Sequence, residues 1–253
     1  MDGRPSITRR RGIYLLPNLL TTCGLFAGFY SIVASIDGNF ERAALAIFAA
    51  MLFDGLDGRV ARLTSTASEF GKEYDSLSDM VSFGLAPAIV IYQWGVQRLA
   101  EYGALWGRLG WLAAFLYVAA AAFRLARFNT NVVNQDRRFF QGLASPAAAA
   151  VVSSMVWLAS HFSIDGLKAL VAGITVTAIA ALLMMSRFAY LSFKDISPGR
   201  RVRFANLLLI PLVLIVIAIM PQVTIFVLFL AYAASGPAAW LWRRRRRQDA
   251  ATS

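Results

Sequence analysis

Between Pro17 and Trp242 the chain is built from apolar stretches, each near the ~20 residues that a bilayer core demands of a helix. Eight can be delimited, at 17–36, 42–63, 73–97, 105–127, 144–162, 165–187, 204–220 and 222–242. Runs of this length leave few options, because every backbone polar group inside hydrocarbon must find its partner within the chain. The pattern predicts an all-α integral membrane protein with about eight transmembrane helices. Hydrophobic residues make up 58% of the 253 and charged residues only 15%, which excludes an ordinary soluble domain. One cysteine, Cys23, excludes an internal disulfide.

A net charge of +11 would suit nucleic acid, but the arginines lie at the ends of the apolar runs, as in the positive-inside pattern of membrane proteins. No nucleic-acid partner is expected. With the N-terminus in the cytosol, 21 of the 25 Lys and Arg fall on cytosolic segments. Arg42, Arg98, Arg108 and Lys168 fall on the other side. This asymmetry predicts an even number of spans, both termini cytosolic, and residence in the cell's inner (cytoplasmic) membrane. The arginines Arg9 to Arg11 precede a run that continues into a full span, so no cleavable signal peptide is expected.

Acids stand out in such a chain. Asp54, Asp57, Gly58, Ala61 and Arg62 fall at i, i+3, i+4, i+7 and i+8, one stripe along a helix. Gly71, Asp75 and Asp79 make a single stripe on the next. If the two helices pack antiparallel, two pairs of carboxylates face each other. Asp54 lies nine residues before Leu63, about 13 Å at ~1.5 Å per residue, so the site sits near the inner headgroup level. Four acids against Arg59, Arg62 and Lys72 leave an excess of negative charge where each ionised acid costs several kcal/mol.

Divalent cations would neutralise that excess. Oxygen-only ligands without a nearby His or Cys suit Mg²⁺ or Mn²⁺ and argue against zinc. Four carboxylates on two facing helices can hold two ions, which together clamp a phosphoryl displacement. Gly55, Gly58 and Gly71 weaken their helices and mark places where something bulky approaches the backbone. Arg62 offers a fork of donors to a phosphate.

The string Asp54-x2-Asp57-Gly58-x2-Ala61-Arg62-x8-Gly71-x3-Asp75-x3-Asp79 resembles the signature of the CDP-alcohol phosphatidyltransferase family at every position. Three further stretches, Asp75 to Pro87, Phe123 to Asn129 and Phe139 to Ala147, look like the bacterial membrane-embedded phosphatidylserine synthases of that family. The resemblance implies transfer of a phosphatidyl group from CDP-diacylglycerol to the hydroxyl of L-serine, with release of CMP. It implies that Asp54, Asp57 and Asp75 hold one metal and Asp54, Asp75 and Asp79 the second, Asp79 also being the general base. Asn18, Gly58, Arg62 and Ser68 match positions that contact the CDP-lipid. A six-helix core and a homodimer are implied too. The chain then divides into an interfacial segment 1–16, a catalytic core 17–190, two additional helices in 191–242 that would be peripheral, and a basic tail 243–253.

A serine site is read from the residues alone. A zwitterion needs a cation for its carboxylate, and Arg124, Arg127 and Asn131 share one helical face at the cytosolic end of the fourth span. The same arginines also read as ordinary positive-inside flanks. Other acceptors (glycerophosphate, inositol phosphate or choline) remain open, as does a divalent-cation transporter. The stretches from 144 onward add no acid inside the membrane for a conduction path, and no internal repeat supports an inverted-repeat transporter. His161, the only histidine, is expected to have no chemical role. Gly24 and Gly28 form a GxxxG pattern that reads as tight packing within the chain, with a dimer seam as the alternative.

Overall fold

A computed structural model describes residues 7–64, 66, 68–130, 139–164, 166–191 and 215–252. Helix α1 (Ile7–Ile36) turns at Gly38, whose φ of 76° suits glycine, into α2 (Phe40–Leu63). The third span is a continuous run in three parts: α3 (Glu69–Asp79), a π-helical turn (Met80–Leu85) and α4 (Ala86–Trp94). A 3₁₀ segment (Val96–Tyr102) leads to α5 (Ala104–Thr130). Then come β1 (Phe139–Gln141), α6 (Ser145–His161), α7 (Leu167–Met185), β2 (Ala189–Leu191) and α8 (Pro221–Thr252).

Among the described residues four helical stretches are long and apolar enough to cross a membrane: Leu15–Ile36, Ala104–Thr130, Leu167–Met185 and Pro221–Arg244. The other expected spans differ for identifiable reasons. Helix α2 has the length, but Asp54, Asp57 and Arg59 interrupt its apolar character. The third is divided by its π turn, and α6 has only 17 residues. The seventh stretch, 204–220, lies outside the described residues up to 214. The interfacial segment is not separate from the first span: one helix runs through Pro17, whose carbonyl accepts a hydrogen bond from Thr21 Oγ1 at 3.0 Å.

The expectation of an all-α chain needs one correction. Strands β1 and β2 pair antiparallel in the register Phe139↔Leu191, Phe140↔Tyr190, Gln141↔Ala189. Their backbone hydrogen bonds are satisfied by each other, which three-residue strands outside a helix require.

Helix α6 is the centre of the bundle. Thirteen of its 17 residues are buried, so it presents no lipid-facing stripe and packs against α2, α4, α7 and α8. Ala147 to Ala150 give those neighbours close access. Helix α8 is no detached appendage. It lies along α6, Phe229 stacks on Phe48 of α2 at 6.4 Å, and Tyr190 donates to the Ala233 carbonyl at 2.9 Å. Burial, then Tyr232 beside it, pushes the Tyr190 phenol up to about 12, so it stays a donor at physiological pH. His161 is tied to Gln222 of α8 at 3.3 Å, a packing role.

The GxxxG pattern serves packing inside the chain. A Cβ on Gly28 would stand 2.7 Å from the Ser82 Cα in the π turn and still closer to its Oγ. Gly24 faces Phe53, the Ala50 carbonyl and Ser78. We therefore expect Gly28→Val to lower the Tm of the detergent-solubilised protein by at least about 3 °C, the scale of an overpacked core. Gly55→Ala, with nothing within 4 Å of its added Cβ, should leave Tm unchanged or raise it. An unchanged Tm for Gly28→Val would place the close approach in doubt.

Candidate functional site

The acid stripes meet. Asp54 and Asp57 on α2 and Asp75 on α3 each bring a carboxylate oxygen within 4.8 Å of the others. Asp79, one turn beyond Asp75, lines the same pocket and interacts electrostatically with all three. It does not join the tight triad. The expected arrangement of four acids is thus three converging carboxylates and a fourth beside them.

Helix α1 holds the cluster together. Asp57 is 5% exposed, and its Oδ2 accepts a 2.7 Å hydrogen bond from Thr21 Oγ1. Ser78, between Asp75 and Asp79 in sequence, donates to the Thr21 carbonyl at 3.2 Å, and Ser82 donates to the Gly24 carbonyl at 3.1 Å. Two serines one turn apart therefore stitch the third span to α1 and fix the facing of Asp75 and Asp79. Tyr117 of α5 donates to the Phe83 carbonyl at 3.1 Å inside the π turn, where the ordinary i→i−4 ladder is interrupted. Residue spacing did not reveal Thr21, Ser78 or Ser82. Their signal was present all the same: Ser78 and Ser82 at i and i+4 match Gly24 and Gly28 at the same interval.

Asn18, Ser68 and Gly71 also come together. Ser68 Oγ accepts from the Gly71 N–H at 3.0 Å and so caps α3. A Cβ on Gly71 would stand 3.1 Å from Ser68 Oγ and 3.4 Å from Asn18 Oδ1. The absence of that Cβ lets two polar side chains and a helix N-terminus share one ledge. Arg62 folds back along α2, with Nη1 3.6 Å from the position of a Gly58 Cβ, while Gly55 has open space beside it. Gly58 and Arg62 thus form a second contact surface, at the exposed end of the acid cluster.

The three residues of the expected serine site part company. Arg124 Nη1 donates to Ser145 Oγ at 2.7 Å, and its guanidinium interacts electrostatically with Asp79. Arg127 is occupied elsewhere: Nη2 donates to the Gln141 carbonyl at 2.8 Å and approaches the Met184 and Ser186 carbonyls at 3.4 and 3.5 Å, while Nη1 approaches Met185 at 3.4 Å. It ties β1 to the C-terminus of α7, where orphan carbonyls need donors. Asn131 lies outside the described residues. Asn129, two positions earlier, links α5 to α3 through Ser76 Oγ at 2.9 Å.

Three convergent carboxylates without nitrogen or sulfur ligands form a donor set for a hard divalent cation. The cluster fits such an ion: its like charges are crowded, and Thr21 offers hydrogen-bond relief to Asp57. Polar ledges on either side, open toward the basic ends of α2 and α3, could receive a charged headgroup.

Comparison with known proteins follows the same residues. The family model described as CDP-alcohol phosphatidyltransferase matches residues 14–191, which takes in every element from α1 to β2 and leaves α8 outside. A CDP-diacylglycerol–serine O-phosphatidyltransferase of Helicobacter pylori (strain J99) is 37% identical over 205 residues, covering 80% of this chain and 83% of that protein. A protein of the same name from Mycobacterium bovis is 30% identical over 252 residues, covering 94% of this chain and 82% of its own length. The archaetidylserine synthase of Methanothermobacter thermautotrophicus is 36% identical over 177 residues, 69% of each chain. With its carboxylates converging on the motif's spacing and the match spanning most of its length, the chain belongs to the CDP-alcohol phosphatidyltransferase family.

Proposed function

We propose that this protein is a CDP-diacylglycerol–serine O-phosphatidyltransferase, moving the phosphatidyl group of CDP-diacylglycerol onto the hydroxyl of L-serine and releasing CMP. The observation that carries the reading is the convergence of Asp54, Asp57 and Asp75 within 4.8 Å on the family's spacing, with Asp79 in the same pocket. Relatives named for this reaction along most of the chain support serine as the acceptor.

The chemistry is a displacement at phosphorus. The serine oxygen forms a bond to the lipid-side phosphorus, and the bond from that phosphorus to the CMP oxygen breaks. The serine hydroxyl loses its proton to Asp79, which suits the base role because it borders the triad without belonging to it. CMP leaves with the electron pair. Arg62, folded over Gly58, offers paired N–H donors to the diphosphate as negative charge grows. Asn18 and Ser68, beside Gly71, supply a polar ledge for the nucleotide end of the donor. Thr21 holds Asp57 in one orientation. Two Mg²⁺ or Mn²⁺ ions, one on Asp54, Asp57 and Asp75 and one on Asp54, Asp75 and Asp79, would stabilise the charge on the attacking and leaving oxygens.

We place the active site on the cytosolic side of the inner membrane, with eight spans and both termini cytosolic. The 21-to-4 division of basic residues supports this arrangement. A homodimer rests on the family resemblance alone.

The metal reading predicts that EDTA abolishes turnover and that Mg²⁺ or Mn²⁺ restores it. Asp79→Asn should eliminate phosphatidylserine formation while retaining CDP-diacylglycerol binding, whereas Asp54→Asn should lose both. Turnover that survives complete chelation would overturn this account. Acceptor identity is read by offering purified protein L-serine, glycerol 3-phosphate, inositol phosphate and choline with one CDP-lipid. L-serine should give the highest kcat/KM, and preference for any other would overturn the acceptor while sparing the metal centre. For topology, impermeant labels applied outside intact cells should fail to reach reporters at either terminus. Labelling of either would reverse the orientation.

A further inference from the structure

Arg124 is held at one end and unmatched at another. Nη1 donates to Ser145 Oγ, at the first residue of α6, yet Nε is buried with no hydrogen-bond partner among the described residues. Buried N–H groups on a cation are costly to leave unpaired, and native structures retain few. The guanidinium stands between two sides of the site. Asp79 is on one, and Tyr117 of α5 and Tyr232 of α8 are on another, all within electrostatic reach. Arg127, one turn along, adds positive potential while its own donors are spent on backbone carbonyls. A cation with an unmatched donor, beside the base that would take the acceptor's proton, has the chemistry of an anion receptor.

We propose that Arg124 receives the carboxylate of the amino-acid acceptor, in a pocket bounded by Asp79, Ser145 and Tyr232. This rests on the function proposed above and goes beyond it, because Tyr232 makes α8, which lies outside the matched residues 14–191, a wall of the acceptor site. A carboxylate seated on Arg124 directs the β-hydroxyl of the same small molecule toward Asp79. Acceptors lacking that carboxylate, such as choline or an amino alcohol, lose the contact and leave Nε unmatched. Selectivity then follows from the cost of an unpaired buried cation more than from pocket shape.

The test compares L-serine with serinamide, whose amide removes the negative charge, at saturating CDP-diacylglycerol. Wild type should favour serine in kcat/KM by about tenfold or more, the worth of a charge-assisted hydrogen bond. Arg124→Gln should lose at least about tenfold for serine, mainly through KM, while serinamide changes less than about threefold. Arg124→Lys, keeping the charge without the fork, should recover only part of the serine preference. Tyr232→Phe should raise the KM for serine and leave that for CDP-diacylglycerol unchanged. CDP-diacylglycerol binding by each variant reports that it is folded. If Arg124→Gln depresses both acceptors equally, or acts through kcat alone, Arg124 is a charge partner of Asp79 and the proposal falls. Equal use of serine and serinamide by wild type overturns it as well. A wild-type protein that makes no phosphatidylserine at all instead overturns the function on which it rests.

Discussion

Like charges brought together where charge is expensive govern this structure. Three carboxylate oxygens converge within 4.8 Å near the end of a membrane-embedded helix pair, with a fourth acid alongside. Unrelieved, their repulsion in a medium of low dielectric would separate α2 from α3 or protonate the acids. Several features oppose that outcome. Thr21 takes a hydrogen bond into Asp57, Ser78 and Ser82 anchor the third span to carbonyls of α1, and Arg124 faces Asp79 from α5. Gly28 permits the approach that the serine bonds need. The small-residue packing and the acid cluster are therefore one arrangement, since loosening the first would release the second.

The rest of the bundle makes the frame stiff. Helix α6, buried almost all round, gives α2, α4, α7 and α8 a common surface. Its N-terminal residue Ser145 meets Arg124, so the most buried helix also orients the guanidinium nearest Asp79. At the same end Arg127 ties β1 to the last carbonyls of α7, closing the bundle where β1 and β2 pair. Two arginines three residues apart thus divide the labour, one toward the acids and one toward the backbone.

Much of the site was legible because helical spacing is strict. Asp54 and Asp57, and Asp75 and Asp79, had to share faces, and an oil-rich surround made their cost visible. The ledge of Asn18, Ser68 and Gly71 was reached only by resemblance, because nothing local says that residues about 50 apart meet. Spacing grouped Arg124 with Arg127 but could not separate them. The partners that distinguish them, Gln141, Ser145, Met184 and Ser186, arrive through tertiary contacts. The π turn was hidden because its sequence, Met80 to Leu85, is apolar and helix-compatible. Tyr232 was hidden because α8 reads as a generic span, and β1 and β2 were hidden because three residues carry no period.

The order of synthesis gives the acid cluster a problem of timing. Everything that forms it, from Thr21 to Phe83, lies in the first third of the chain, whereas Arg124 and α6 are made afterwards. When the third span leaves the ribosome, the acids must already be near one another, held by α1, with Arg59, Arg62 and Lys72 as the nearby cations in sequence. Ion capture at that moment would favour the correct pairing of α2 with α3 over withdrawal of either to the aqueous face. The metal centre would then act as a nucleus for insertion as well as for chemistry, so scarcity of the ion during translation would reduce the amount of assembled protein and not merely its activity.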